Sequence, residues 1–531
     1  MKPHKSVYLP LLLAATLVAG VYLGLLLSAN ADRQQINFIT PNTRTIGGKL
    51  NQILNYIEDQ YVDTIEKEKL AEKAINSLLA DLDPHSYYIP AEELSDLTEP
   101  LEGNFDGIGV EFLIENDTIV VVNTVVGGPS ESVGIQAGDR ITRINGKLVA
   151  GTGIQNQDVM KYLRGPSGSK VKVDVIRNGK IKQSFSITRG KIPINSVDAS
   201  LLINDTTGYI KISRFAKYTY EEFMTAVKDL QKARPQLKKL VIDLRNNGGG
   251  YLNSAIQMAE EFLPKGKLIV YTQGKSQPTR KYSSSRNGTL TQLQLDILVN
   301  ESSASASEVF AGAMQDQDRA TIIGRRTFGK GLVQEQMELP DRSALRLTVA
   351  RYYTPTGRSI QKPYGKGIDY ESDFEARFNS GELFSRDSIK VADSLKYRTP
   401  GGKIVYGGGG IVPDYFVPLD STEQSLLLSS LMYTGELNNQ AFDYVDANRR
   451  KLGKYKTAVQ FVKEFKVDDR LYQSAMGTVL SDYSGTIRLI TPQETRAIKL
   501  RLKALIARNL FGTEGYYAVM IPSDPMIFRK R

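Results

Sequence analysis

The spacing of apolar residues changes several times along the chain, and the changes divide it. Val7–Ser28 carries no charged residue, a run long enough to cross a bilayer as a helix. Over 43–83, apolar residues recur at helical spacing in two stripes. The first is Leu50, Ile53, Leu54, Ile57 and Tyr61; the second is Leu70, Ala74, Ile75, Leu78 and Leu82. Asp83-Pro84 is a helix stop, so 43–100 is expected to be a mainly helical N-terminal region. From 101 to 189 the pattern becomes short strands with glycine turns, including an alternating strand over Thr118–Val122. Beyond 190, apolar strands over Gly208–Ser213, Lys239–Leu244 and Leu295–Val299 alternate with helices over Thr219–Ala233 and Ala255–Phe262. Val309, Phe310, Ala313 and Met314 then return to helical spacing. That alternation predicts an α/β core. The polar stretch Thr272–Gln294 is expected at the rim of a groove, and Ala344–Tyr353 reads as a strand. The tail, 421–531, reads as helical. Thr491-Pro-Gln-Glu494 combines an N-cap, a proline at the first helical position and a capping-box carboxylate, and Ile498, Leu502, Leu505 and Ile506 continue one face.

Charge changes the reading mainly at the N-terminus. Lys2 and Lys5 precede the apolar run, which keeps the N-terminus inside and exports the remainder. Ala29-Asn-Ala31 fits a small-residue cleavage site, but the run is longer than an ordinary signal core. Residues 1–31 therefore read as a signal segment, with 7–28 a retained anchor in the inner membrane and the rest extracytoplasmic, periplasmic in a Gram-negative cell. Elsewhere, 68 basic and 58 acidic residues give a net charge of +10, with no basic block interleaved with aromatics. That is a solvated basic surface, and no nucleic-acid partner is implied. A homo-oligomer is left open.

The chemistry-bearing stretch is Asn300-Glu-Ser-Ser-Ala-Ser-Ala-Ser-Glu308, placed where a strand turns into a helix. N–H groups at a helix start lack intrahelical partners and favour a developing oxyanion. A serine there needs a base. The chain has two histidines, His4 and His85, and no cysteine, which removes thiol proteases and Cys-ligated zinc. No H-E-x-x-H occurs, and no metal or organic cofactor is implied. A buried, neutral lysine remains, and Lys330 between Gly329 and Gly331 is the candidate. Each signal also has a plainer reading: Ser305-x-x-Glu308 as a capping box, Gly-Lys-Gly as a solvated turn. Asp243-Leu-Arg-Asn-Asn-Gly-Gly-Gly250 ends a strand and turns tightly.

Taken together, Ser303-Ala-Ser-Ala-Ser-Glu308 and Thr327-Phe-Gly-Lys-Gly-Leu-Val-Gln334 resemble the carboxyl-terminal processing, or tail-specific, proteases. The resemblance covers roughly 45–420 and implies a crotonase-like (ClpP/crotonase-type) βαβ core over 190–420. It implies Ser305 as nucleophile, Lys330 as base and Gln334, one helical turn on, as the residue orienting the lysine. The oxyanion donors would be Ala306 and a glycine, Gly250 in preference to Gly249. The ordered set Gly107-Ile-Gly-Val110, Gly128-Pro-Ser-Glu-Ser-Val-Gly134 and Ala137-Gly-Asp-Arg-Ile141 resembles a PDZ domain inserted over 101–189. Gly107, Ile108, Gly109 and Val110 would then cradle a substrate's C-terminal carboxylate, and Arg164 would either read it or form a surface ion pair. Leu82-Asp-Pro-His-Ser86 is a recurrent stretch of the family without a catalytic role, so none is given to His85. The family's Gly-Ile-x-Pro-Asp element comes late, at Gly410-Ile-Val-Pro-Asp414, which makes about 362–406 an insertion. The implied function is a serine endopeptidase cutting proteins with exposed C-terminal tails. The rivals are a peptide- or apolar-ligand-binding protein on the same fold and a PDZ scaffold with a merely structural core.

Overall fold

The structure is a computed structural model describing residues 14, 16–21, 23, 46–420, 425–482 and 490–528. Most of the expected 7–28 anchor lies outside the described residues, and no helix among the described residues is long and apolar enough to cross a membrane. The chain forms two compact units, 1–77 and 78–531.

In the first unit, the expected helical stretch is two helices, α1 (Ile46–Gln60) and the start of α2 (Lys67–Ala80). The helical spacing is right, but the apolar stripe on α1 is not buried. Ile53 and Tyr61 are more than half exposed, and α1 has no buried residue.

The second unit opens with a turn, Asp83–Ser86, pinned to a distant strand. Strand β1 (Tyr87–Ile89) follows, then helix α3 (Ala91–Glu102), ended by Gly103 in the left-handed region. A ribbon of β2 (Asn104–Gly107) and a later strand carries the inserted domain. That domain has strands β3 (Val110–Glu115) and β4 (Thr118–Thr124), helix α4 (Pro129–Ser132), and strands β5 (Arg140–Ile144) and β6 (Lys147–Leu148). Helix α5 (Asn156–Leu163) and strands β7 (Lys170–Arg177) and β8 (Ile181–Thr188) complete it, and β9 (Gly190–Pro193) pairs back with β2. The sheet order is β3-β4-β5-β7-β8, with β6 on β5, so β3 has a free edge. Period-two alternation explains its two faces. Ile119 and Val121 point into the domain core, whereas Val120 and Val122 point out and are covered by Phe442 of the tail.

The core carries a six-stranded sheet: β10 (Val197–Asn204), β11 (Thr207–Ile212), β12 (Lys239–Asp243), β15 (Gln294–Val299), β16 (Thr321–Gly324) and β21 (Tyr415–Phe416). All adjacent pairs except β10/β11 are parallel. Parallel strands are buried on both faces, which is why they read as unbroken apolar runs. Leu240, Ile242, Leu295 and Ile297 face helices α6 (Thr219–Ala233), α7 (Leu252–Glu261) and α8 (Ala306–Asp316). Val241, Leu298 and Ile323 face Ile521 and Met526 of the tail. A second sheet has the order β1-β18-β13-β14 with β17 on β18, using β13 (Leu268–Gln273), β14 (Arg280–Ser283), β17 (Leu332–Glu338) and β18 (Ala344–Tyr353). The expected groove-rim stretch forms β14 and its flanks, and none of it lines the cleft described below.

The expected insertion contains helix α9 (Asp373–Asn379) and the hairpin β19 (Lys396–Arg398) and β20 (Ile404–Tyr406). The tail folds as α10 (Leu426–Tyr433), α11 (Glu436–Leu452), α12 (Ala458–Glu464), α13 (Asp469–Asp482) and α14 (Pro492–Met520) around its own core. Helix α14 starts as its sequence predicts. Thr491 N–H donates to Glu494 at 2.8 Å and Glu494 N–H donates to the Thr491 hydroxyl at 3.1 Å, a cap worth about 1 kcal/mol.

Candidate active site

Two loops at the carboxyl ends of the neighbouring strands β12 and β15 meet, the usual place for a site in a parallel sheet. Side chains and peptides zip them together. The Ser303 hydroxyl donates to Leu244 O at 2.8 Å, Ala304 N–H to Asn247 O at 3.0 Å, and the Ser307 hydroxyl to the same Asn247 O at 2.9 Å.

Ser305 sits at the crest of the second loop, just before α8. Its φ of 54° and ψ of −114° are unusual for a residue with a side chain, a strain costing about 1–3 kcal/mol and typical of functional positions. The half-buried side chain lines a cleft of about 520 Å³ shared with Gly250, Ala306, Leu332, Gln334 and Tyr352. Ser305 is the N-cap of α8 and closes a capping box with Glu308, its side chain turned to the Glu308 N–H.

The N–H groups of Ala306 and Gly250 have no acceptor among the described residues, and both residues line that cleft. Gly249 differs: its N–H donates to Asn247 Oδ1 at 2.9 Å. The two glycines, alike in sequence, are thus separated by their partners. Neither tolerates a side chain. A Cβ on Gly250 would stand 2.1 Å from Phe215 O, and one on Gly249 2.8 Å from Ser305 Cβ.

Lys330 lies in the loop ahead of β17. Its amine makes no hydrogen bond or ion pair among the described residues. Burial lowers its pKa, and the Arg346 guanidinium lowers it further, with Asp83 and Glu308 pulling the other way. No hydrogen bond joins this amine to the Ser305 hydroxyl, and Lys330 does not line the cleft. Their backbones, however, are stapled twice. Glu308 Oε2 accepts from both Ser305 N–H, at 2.9 Å, and Lys330 N–H, at 2.8 Å. The Tyr352 hydroxyl lies within bonding reach of the carbonyls of Ser305, at 3.1 Å, and of Lys330. Glu308 Oε1 also accepts from the Thr327 hydroxyl at 2.5 Å and from Gly329 N–H at 2.8 Å. Burial pushes the Glu308 carboxyl up to about 7 against the pull of those donors.

Gln334 is not one helical turn beyond the lysine. It lies on strand β17, directly after a bulge between Val333 and Gln334. The strand forms because Leu332–Glu338 pairs along β18, and that pairing overrides any helical continuation of the loop. Its amide Nε2 is buried without a partner. His85 Nε2 stands 2.9 Å from the Tyr370 hydroxyl; burial, then the nearby Lys330 amine, lowers its pKa to about 4. The ring is therefore neutral at neutral pH and belongs to the lysine's surroundings.

In the inserted domain, the turn Gly107–Val110 leads into the free-edged strand β3, with Gly109 at φ +74°. The N–H groups of Ile108 and Gly109 have no acceptor among the described residues. Arg164 packs against this turn, its guanidinium over the Phe105 ring, but it is paired with Asp96 at 3.0 Å and Glu99 at 2.8 Å on α3. That is the ion-pair alternative of the two expected for it.

Three residues central to this geometry carry no clear signal in the sequence. Glu308 reads there only as a capping carboxylate. Tyr352 and Asn247 act through contacts that no local pattern reveals.

Comparison with known families and proteins agrees with this architecture. Residues 206–373 match peptidase family S41, 107–188 match a PDZ domain, and 427–512 match a family of unknown function. The chain is 35% identical over 431 residues to a carboxy-terminal-processing protease of Bartonella bacilliformis, covering 80% of this chain and 96% of that one. It is 36% identical over 337 residues to a probable CtpA-like serine protease of Staphylococcus aureus, covering 63% and 66%. Among solved structures, a photosystem II D1 C-terminal processing protease is 30% identical over 61% of this chain and 94% of that one, with a TM-score of 0.33.

Proposed function

The chain belongs to the carboxyl-terminal processing proteases of peptidase family S41, and from that premise we propose that Ser305 and Lys330 form its catalytic dyad. The protein is a serine endopeptidase with a PDZ domain. The observation that supports the site assignment is the shared Glu308 oxygen, which ties the Ser305 and Lys330 backbones together while the lysine amine carries no ion pair or hydrogen bond among the described residues. In the working enzyme the Lys330 amine meets the Ser305 hydroxyl.

A protein tail adds as a strand to the free edge of β3, and its carboxylate meets the unpaired N–H groups of Ile108 and Gly109. There it competes with Asp96 and Glu99 for Arg164. The preceding segment enters the cleft beside Ser305. Neutral Lys330 takes the hydroxyl proton as the Ser305 oxygen attacks the scissile carbonyl. The N–H groups of Ala306 and Gly250 hold the oxyanion, a contribution of about 100-fold or more in rate per donor. The lysine ammonium protonates the leaving amine, and water, deprotonated by the same amine, hydrolyses the acyl-enzyme. Gln334, with its unpartnered amide, orients the lysine in the working state. Residues 7–28 anchor the enzyme in the membrane, with the catalytic unit outside the cytoplasm.

The test is digestion of a protein bearing an apolar C-terminal tail by the full-length enzyme and its Ser305→Ala variant, with cuts mapped by mass. Cuts near the C-terminus that vanish with Ser305→Ala are expected. Equal cleavage by both removes Ser305 as nucleophile.

A further inference from the structure

The loop that carries Lys330 has no regular structure, yet its peptide groups are held one by one, and most of the holders lie in or beside the insertion. Arg377 on α9, buried, donates to Arg326 O at 2.5 Å and to Thr327 O at 3.3 Å. Glu382 binds both guanidiniums, Arg377 at 2.8 Å and Arg326 through two contacts of 2.8 Å. Lys362 N–H donates to Gly329 O at 2.9 Å, and Gln361 Oε1 accepts from Gly331 N–H at 2.7 Å. The Lys362 amine lies 4.1 Å from the Phe328 ring centre and 3.9 Å from that of Tyr370, and donates to Tyr370 O at 3.0 Å. The Tyr370 ring stands edge-on to Phe328 and to His85, and its hydroxyl pairs with His85 Nε2. The insertion thus grips the loop on both sides of Lys330 and closes against the Asp83–Ser86 turn. The lysine side chain itself is left untouched.

We propose that this insertion is a positioning element for the catalytic base, with Arg377 and Tyr370 as the positioning residues that hold the 326–331 loop in place around Lys330. The proposal rests on the reading of Lys330 as base. It gives a role to a segment that breaks the pattern of the core around it. A general base is effective only when its proton affinity matches the working pH, so a loop that sets where the amine stands among its neighbours also tunes it. The groups facing Lys330 are Arg346 from β18, Asp83 and His85 from the turn before β1, and Glu308 from α8. None belongs to the insertion. Its effect on the amine therefore comes through the position of the loop among those groups, with Lys362 reaching the same surroundings through its field on His85.

The experiment measures kcat and KM against pH for full-length wild type, Arg377→Met, Arg377→Lys, Tyr370→Phe and Lys330→Ala, using a peptide with an apolar C-terminal tail, with thermal unfolding in parallel. Arg377→Met is expected to lower kcat about tenfold or more with KM within about twofold, and to move the rising limb of kcat/KM upward by about half a pH unit or more. Arg377→Lys is expected to recover part of both. Tyr370→Phe keeps the ring and loses only the hydroxyl, so a shift of the same sign and smaller size is expected. Should Arg377→Met fail to fold, Tyr370→Phe and Arg377→Lys decide. Limbs that coincide with wild type in every folded variant, while Lys330→Ala is inactive, overturn the positioning role alone. Full activity in Lys330→Ala overturns instead the dyad on which it rests.

Discussion

Ser305 stands on the rim of a packed apolar core, whereas Lys330 hangs in a loop with almost no core of its own. Just beyond the serine, Val309, Phe310, Ala313 and Met314 are buried against β12, β15 and α7, so the helix that presents it is fixed by the same burial that folds the domain. The lysine loop is fixed by carboxylates, guanidiniums and peptide groups contributed by α8, β18, the insertion and the 409–411 turn. The serine's place therefore scales with domain stability. The lysine's place depends on discrete polar contacts that can be lost one at a time.

The difference is most sharply tested on the serine side by Gly250→Ala. The added methyl group would press on Phe215 O at 2.1 Å, in a backbone conformation with φ +139°. A loss of more than about 4 kcal/mol of stability is expected with a fall of about 100-fold or more in rate, read by urea unfolding and turnover. Activity lost without any loss of stability would break the link between site and core.

On the lysine side, Glu308→Gln keeps the shape but sets an amide donor against donors. A fall in kcat of about 10- to 100-fold is expected. The pH dependence of stability separates the two forms. With its folded pKa raised to about 7, Glu308 contributes stability that is full below its unfolded value of 4.5 and is lost as pH rises through about 7. Denaturation of wild type against Glu308→Gln between pH 4 and pH 8 should show wild type losing up to about 3 kcal/mol more. Parallel curves would refute it.

Arg346→Met is the mildest change. Its guanidinium helps to hold the Lys330 amine below its ordinary range, so removing it should raise the rising limb of kcat/KM by about half a unit with little change in melting temperature. An unmoved limb would leave burial as the sole cause.

What could be read from the sequence follows the same division. Helix Thr219–Ala233 falls where it is expected, with Phe223, Ala226, Val227 and Leu230 on one buried face, and strand Ala344–Tyr353 follows its β-rich composition although its middle is only half-buried. Ser305 was legible because strand, serine and helix are contiguous. The helical turn expected at Gln334 is replaced by a strand, because that strand is created by pairing with β18, which no local pattern reveals. The stripes on α1 have helical spacing but little burial, since periodicity reports a helix and not its partner. Arg377, Tyr352 and Asn247 were invisible because each works across long sequence distances.

The twin staples of Glu308 and Tyr352 have a kinetic corollary. With both main chains clamped to the same two side chains, neither turn can drift without pulling on the partner of the other. Local opening at Glu308 then exposes the Ser305 and Lys330 N–H groups together, so their hydrogens are expected to exchange at a common rate.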